Sequence, residues 1–282
     1  MRDACEVDRL KLKAAELRFQ IVRMMGAGKV HHFGGSLSEA DIITALYFYK
    51  MRYDPTNPAW RERDRFVMSK GHSVPAQYTA LAMLGVLGLD ELATLKKLGS
   101  RLQGHPAMHL TPGIEACTGA LGEGLSYANG IALGGRVQGL HFRVYCLIGD
   151  GELHEGQIWE AAMTTARRRL TNLVAIIDRN RLKAMGTADE PKVLDPLAER
   201  WRAFGWAVCE IDGHDMAAIM DALDWAEQQT DRPSLIIANT IKGKGVSFVE
   251  GQADFHNAAI NPDQFARAMI ELESNVRQLA EA

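Results

Sequence analysis

Cysteine is scarce in this 282-residue chain, and Cys5, Cys117, Cys146 and Cys209 form no CxxC pair. That excludes a disulfide scaffold and the usual zinc spacings, and it suits a reducing compartment. Long apolar runs are missing too; none approaches the ~18 residues of a membrane span. The N-terminal stretch MRDACEVDRLKLKAAELR is too charged for a secretory signal. Neither charge sign is in excess. With 32 Lys+Arg against 35 Asp+Glu, the net charge of −3 offers no basic surface for nucleic acid or an anionic membrane. Internal repeats and low-complexity linkers are also absent. What remains is an ordinary soluble composition, 47% hydrophobic and 24% charged. A cytoplasmic protein with a substantial core is expected.

The order of elements defines the fold. Leu10, Ala14, Leu17, Ile21 and Met24 recur at helical spacing, and Gly26 and Gly28 end that helix. The segment KVHHFGGSLS reads as a loop, with Ser38 as N-cap of a helix over EADIITALYFYK. Apolar runs DRFVMS, RVYCLIGD, NLVAIIDR, WAVCEID and PSLIIANT read as strands, separated by helical stretches. Strands that are apolar along their whole length predict a parallel sheet covered on both faces. The expected architecture is one α/β domain over 1–282, a doubly wound parallel sheet with helices on both faces. The glycine-dense loop 100–124 is long enough to suggest a functional role.

In such sheets, ligands gather at the carboxyl ends of the strands. Asp150, in GDG, sits at one such end, and Asn180 sits 30 residues later at another. A helical crossover of that length returns to an adjacent parallel strand, so both side chains reach the same rim. A carboxylate, an amide oxygen and a backbone carbonyl are hard ligands suited to Mg²⁺ or Ca²⁺. Gly149 and Gly151 let the backbone approach a diphosphate, and a helix starting near Glu155 aims its amides the same way. A strand ending in Asp-Gly is common by itself, and Asn180 is what raises the signal. GALGEG and IKGKGV are weak phosphate loops, and GAGKV departs from the P-loop because Val30 follows the lysine.

Nine histidines form the second signal. His32, His72, His105 and His256 occupy loops beside Gly, Pro, Ser or another polar residue, and none has a zinc spacing. Each alone is more readily a polar loop residue. Together they suit proton handling near neutral pH. His109, His141, His154 and His214 read as surface or structural groups, and His31 competes with His32.

At this point VHHFGGSLSEADIITALYF, DRFVMSKGHSVPAQYTALA, GHPAMHLTPGIEACTGALGEGLSYANGIAL, GDGELHEGQIWEAAM, IIDRNRL and TIKGKGVSFVEGQADFHNAAI, in this order, resemble the thiamine diphosphate half of a transketolase. The resemblance implies a thiamine diphosphate site with Mg²⁺, or Ca²⁺ or Mn²⁺ in its place, held by Asp150, Asn180 and the Leu182 carbonyl. It implies backbone contacts from Gly119 and Gly151 to the diphosphate and packing of Leu121 on the aminopyrimidine. His72, His256 and Lys242 are implied on the diphosphate side, and His32, His105 and His256 facing the sugar. Glu155 is implied in a carboxylate network at a subunit interface.

The family's activating glutamate lies in a part that these blocks do not include. The expectation is therefore the N-terminal subunit of a split transketolase, which transfers a two-carbon ketol unit between anionic sugars. It would work with a separate C-terminal subunit carrying the pyrimidine-binding and C-terminal domains, in a heterotetramer. HHFGG stands where the family usually has His-Pro-Gly-Gly, and alignment on Gly34 and Gly35 favours His32. FHNAA lacks the glycine that often follows the last histidine, which leaves the sugar open. The alternatives are a deoxyxylulose-phosphate synthase-like chain, a 2-oxoacid dehydrogenase subunit or a non-catalytic scaffold. The first carries a fused C-terminal part, and the second usually lacks the SKGH and GHP blocks. The third would leave the site residues free to drift.

Overall fold

The computed structural model describes residues 2–183 and 194–281. Its centre is a parallel sheet of β1 (Arg65–Met68), β2 (Val144–Gly149), β3 (Leu173–Arg179), β4 (Ala207–Asp212) and β5 (Ser234–Asn239), in the order β1-β2-β3-β5-β4. Val144 registers with Leu173, and Val174 with Ser234, so the ends of β2, β3 and β5 come out level. The helices are α1 (Ala4–Met25), α2 (Phe33–Ser38), α3 (Ala40–Ala45), α4 (Val74–Met83), α5 (Gly124–Val137), α6 (Gly156–Arg167), α7 (Leu197–Ala203), α8 (Met216–Gln228) and α9 (Pro262–Ala280).

Strand alternation sorts the core into two layers. Tyr145, Leu147, Val174, Ile176, Ile236 and Ala238 face the layer built with α1, α3, α4 and α8. Val144, Cys146, Ile148, Leu173, Ala175 and Ile177 face the layer built with α5, α6 and α7. Both faces are covered, which is why β2 and β3 are buried at every residue. The second layer is anchored by Trp159, Trp201 and Trp206, with Trp201 and Trp206 crossing edge to face at 5.0 Å. Among the described residues, no helix is long and apolar enough to cross a membrane.

Two local expectations are corrected. The HHFGGSLS segment is not a loop; it carries α2. Its glycines permit close approach and do not break the helix. A Cβ at Gly34 would lie 2.8 Å from Lys242 Cγ, and one at Gly35 would lie 2.5 Å from Ser73 Oγ. Ser38 does not cap α3. It ends α2, and its hydroxyl donates to Asp178 Oδ2 at 2.6 Å and to the Gly35 carbonyl at 3.0 Å. A buried carboxylate 140 residues away outcompetes the local backbone amides for that hydroxyl. The loop expected after β3 falls largely in 184–193, outside the described residues.

Loops on the carboxyl rim press against one another. A Cβ at Gly71 would lie 2.6 Å from the carbonyl carbon of Thr118, whose own hydroxyl donates to the Met68 carbonyl at 2.5 Å. Gly71→Ala is expected to cost about 1–3 kcal/mol, because two backbones must part. Urea unfolding checks this, and a variant as stable as the parent would show that the loops move apart freely.

Candidate active site

The carboxyl ends of β1, β2, β3 and β5 surround a cavity of about 230 Å³, lined among others by Gly35, Lys70, Asp150, Gly151, Asn180 and Lys242. Wider clefts occur elsewhere, such as one of about 340 Å³ at the opposite strand ends near Arg136 and Asn172. The rim cavity differs in gathering two carboxylates, three lysines and two histidines around backbone glycines.

Asp150 directly follows β2 and is only 3% exposed. Its Oδ1 accepts the Gly151 N–H at 2.7 Å, and its Oδ2 accepts the Arg181 N–H. Burial, then the nearby Asp178 charge, pushes its pKa up to about 7 despite those bonds. Among the described residues no cationic side chain is bonded to this carboxylate, and a bound cation would relieve it. Arg181 adopts φ 64°, a left-handed turn between Asn180 and Leu182. Asn180 Oδ1 accepts the Leu182 N–H at 3.2 Å, and its Nδ2 donates to Asp178 Oδ2 at 3.1 Å. The Leu182 carbonyl accepts from Lys242 Nζ at 3.1 Å. Among the described residues, no three His, Cys, Asp or Glu side chains could hold a metal ion. The Asp150, Asn180 and Leu182 oxygens fit a hard cation that draws its remaining ligands from phosphate and water.

Beneath this lies a buried ionic cluster that sequence reasoning missed. Lys70 Nζ pairs with Asp178 and lies 2.7 Å from Glu39 Oε2. Asp178 also accepts from Ser38, Thr240 and Asn180. Burial alone would raise its pKa, but the Lys70 charge and these bonds hold it below the ordinary carboxylate range. Glu39 is pushed up to about 8 by burial, with the Lys70 charge only partly offsetting this. Lys70 therefore has Asp178 as its ionised partner at neutral pH. Glu152 was missed as well. Its buried carboxylate accepts from Ser69 Oγ at 2.5 Å, the Gly122 N–H at 2.7 Å and the Gly149 N–H at 3.1 Å. It joins the loop bearing Leu121 to the GDG turn.

The histidines divide. His32, His72 and His256 form a triangle with ring centroids 4.8, 5.2 and 5.4 Å apart. His31 is turned away, 2% exposed and edge-on to Phe33, in a backbone bridge to Ala258. His105 is exposed and not among the cavity-lining residues; it stands against Gly119, where a Cβ would meet its Cδ2 at 2.8 Å. Lys242 Nζ is 3.0 Å from His256 Nδ1. Gly119 and Glu155 are not among the cavity-lining residues. Glu155 is exposed and begins α6. Leu121 does line the cavity and is 39% exposed. His214 is structural, bridging Asp41 Oδ2 and the Ile241 N–H.

Burial lowers His32 and His256 to about 4, and neighbouring charges, His256 for His32 and Lys242 for His256, push the same way. His72 is well below its ordinary value through burial and then Lys70, and His105 is lowered by burial and then Lys96. These imidazoles are neutral at pH 7, each with one donor and one acceptor nitrogen. Lys242 falls to about 8 through burial.

The sequence fits the family described as transketolase, thiamine diphosphate binding domain, over residues 11–278. A 6-deoxy-6-sulfo-D-fructose transketolase subunit, SqwG, of Clostridium sp. (strain MSTE9) is 45% identical over 94% of this chain and 96% of its own length. An apulose-4-phosphate transketolase subunit of Phocaeicola vulgatus is 42% identical over 97% of both chains. The solved transketolase of Campylobacter jejuni superposes with a TM-score of 0.87 at 29% identity, over 96% of this chain. This chain spans 45% of that structure's length, whereas it spans nearly all of the two subunits.

A histidine whose folded pKa is depressed favours the folded state above its unfolded value near 6.5. That contribution is lost as pH falls from 6.5 to about 4, where His32 titrates in the fold. Raised carboxyls such as Asp150 act oppositely over part of this window, so the difference from a variant is the readout. His32→Asn is expected to lose less stability than the parent between pH 7 and 4.5 in denaturant titrations. Parallel stability curves for the two proteins would refute a buried neutral His32.

Proposed function

The chain belongs to the transketolase family as a thiamine diphosphate-binding subunit, and from that premise we propose how it works and with what. With a separate subunit carrying the pyrimidine-binding and C-terminal domains, it transfers a two-carbon ketol unit from an anionic ketose to an aldose. The cofactor is thiamine diphosphate with Mg²⁺, for which Ca²⁺ or Mn²⁺ can substitute. The assembly is a heterotetramer in the cytoplasm. The observation that carries this reading is the triangle of neutral histidines beside a cavity lined by glycines, lysines and the Asp150 carboxylate.

When bound, thiamine diphosphate supplies the nucleophilic carbon and the electron sink for carbon–carbon cleavage. Everything else falls to the protein. Asp150, Asn180 and the Leu182 carbonyl hold the cation. Lys242, whose Nζ donates to the Leu182 and Lys183 carbonyls, would offer its charge to the diphosphate. His72 and His256 would lie on the diphosphate side of the cofactor. Gly35, Gly149 and Gly151 line the cavity without side chains, so the diphosphate can approach the backbone there. His32, His105 and His256 face the sugar, where a neutral imidazole accepts a proton from one hydroxyl and returns it to another oxygen. Glu155 joins a carboxylate network at the interface with the partner.

The partner supplies the missing half of the cofactor's surroundings. Exposed Leu121 and Tyr127 border a groove of about 580 Å³ that adjoins the cavity through Leu121, and this is the surface the partner would cover. The two subunits of the family that act on 6-deoxy-6-sulfo-D-fructose and apulose 4-phosphate support an anionic sugar as substrate.

The test is a ketol-transfer assay on the chain, a candidate partner and their mixture, with sulfonated and phosphorylated ketoses. Turnover is expected only in the mixture, and His256→Ala is expected to lower kcat by about 10²–10⁴-fold. Turnover by the chain alone would overturn the two-subunit reading, and an unchanged kcat in the variant would remove His256 from the chemistry.

A further inference from the structure

A metal-ligating asparagine must present its oxygen, and an amide side chain is free to present either end. Two neighbours of Asn180 decide the matter. Asp178 is ion-paired with Lys70, so its carboxylate only accepts hydrogen bonds. The Asn180 atom 3.1 Å from Asp178 Oδ2 must then be the nitrogen. The Leu182 backbone N–H only donates, so the atom 3.2 Å from it must be the oxygen. Both neighbours select the same orientation.

Asp178 is itself held from several directions. Ser38 at the end of α2, Lys70 after β1 and Thr240 after β5 all bond to it, and its residue is fully buried. From this geometry we propose that Asp178 is a positioning residue for the metal site. It holds Asn180 by the amide nitrogen and so aims the amide oxygen at the cation. This rests on the reading of Asn180 as a metal ligand. Groups of this kind behind a ligand typically change metal affinity by about 10–100-fold when removed.

The test uses the chain assembled with its partner and thiamine diphosphate, with Mn²⁺ as probe and free Mn²⁺ counted by electron paramagnetic resonance. Asp178→Asn gives Asn180 a neighbour that both donates and accepts, and Mn²⁺ affinity is expected to fall about 10–100-fold. Thr240→Val removes a bond to Asp178 but not the one to Asn180, and is expected to stay near the parent. Asn180→Asp alone places two carboxylates about 3 Å apart and is expected to bind weakly. Exchanging the pair, Asp178→Asn with Asn180→Asp, restores a carboxylate ligand above an amide donor and is expected to recover about tenfold over either single change. A merely structural Asp178 would give no recovery, since Lys70, Ser38 and Thr240 would all face an amide. Affinity unchanged in Asp178→Asn while Asn180→Ala weakens it would overturn the positioning role alone. Affinity unchanged in Asn180→Ala would overturn the metal assignment, and this proposal with it.

Discussion

The buried pair between Lys70 and Asp178 is the constraint on which the site depends. Lys70 follows β1, Asp178 lies near the end of β3, and the same carboxylate collects Ser38 from α2 and Thr240 from after β5. Elements far apart in sequence thus share one anchor beneath the cavity. Removing one partner of such a pair typically costs about 3–5 kcal/mol, because the other charge stays buried alone. An apolar pair could stabilise the fold equally well, but it could not hold an amide by its nitrogen. The ionic form is what makes this position useful to the site above it.

Charge balance follows from that anchor. Asp178 and Lys70 cancel, and Glu39, raised to about 8, adds little negative charge at neutral pH. Above them, burial pushes Asp150 up to about 7 and Lys242 down to about 8, so each charge in the cavity lacks full compensation. In the proposed function, a cation and a diphosphate would enter such a site together. Either ion alone would leave an uncompensated charge in a poorly hydrated space. The histidines, neutral in the same surroundings, can move protons without adding to the charge that the cavity must hold.

Much of this was legible in the sequence, for identifiable reasons. GDG at the end of an apolar strand, an asparagine ending the next strand and histidines in glycine-rich loops carry their chemistry locally, and the sheet places them on one rim. His32 separates from His31 because α2 begins at Phe33 and directs the two rings apart. What escaped was the layer below. Asp178 reads as the polar end of NLVAIID, Ser38 as a helix cap, and Lys70 as part of the SKGH loop. Their partners lie 108 and 140 residues away, a distance that no local pattern encodes. Glu152 was hidden likewise, because its bonds to Ser69 and Gly122 form only when three loops meet.

The central claim is that half of a shared cofactor site resides here, built on Asp150. Calorimetric titration of thiamine diphosphate with Mg²⁺ into this chain alone, and into its mixture with the partner, tests it most directly. The account predicts tight binding only in the mixture, abolished by Asp150→Ala. No binding in the mixture, or binding that Asp150→Ala leaves intact, would contradict it.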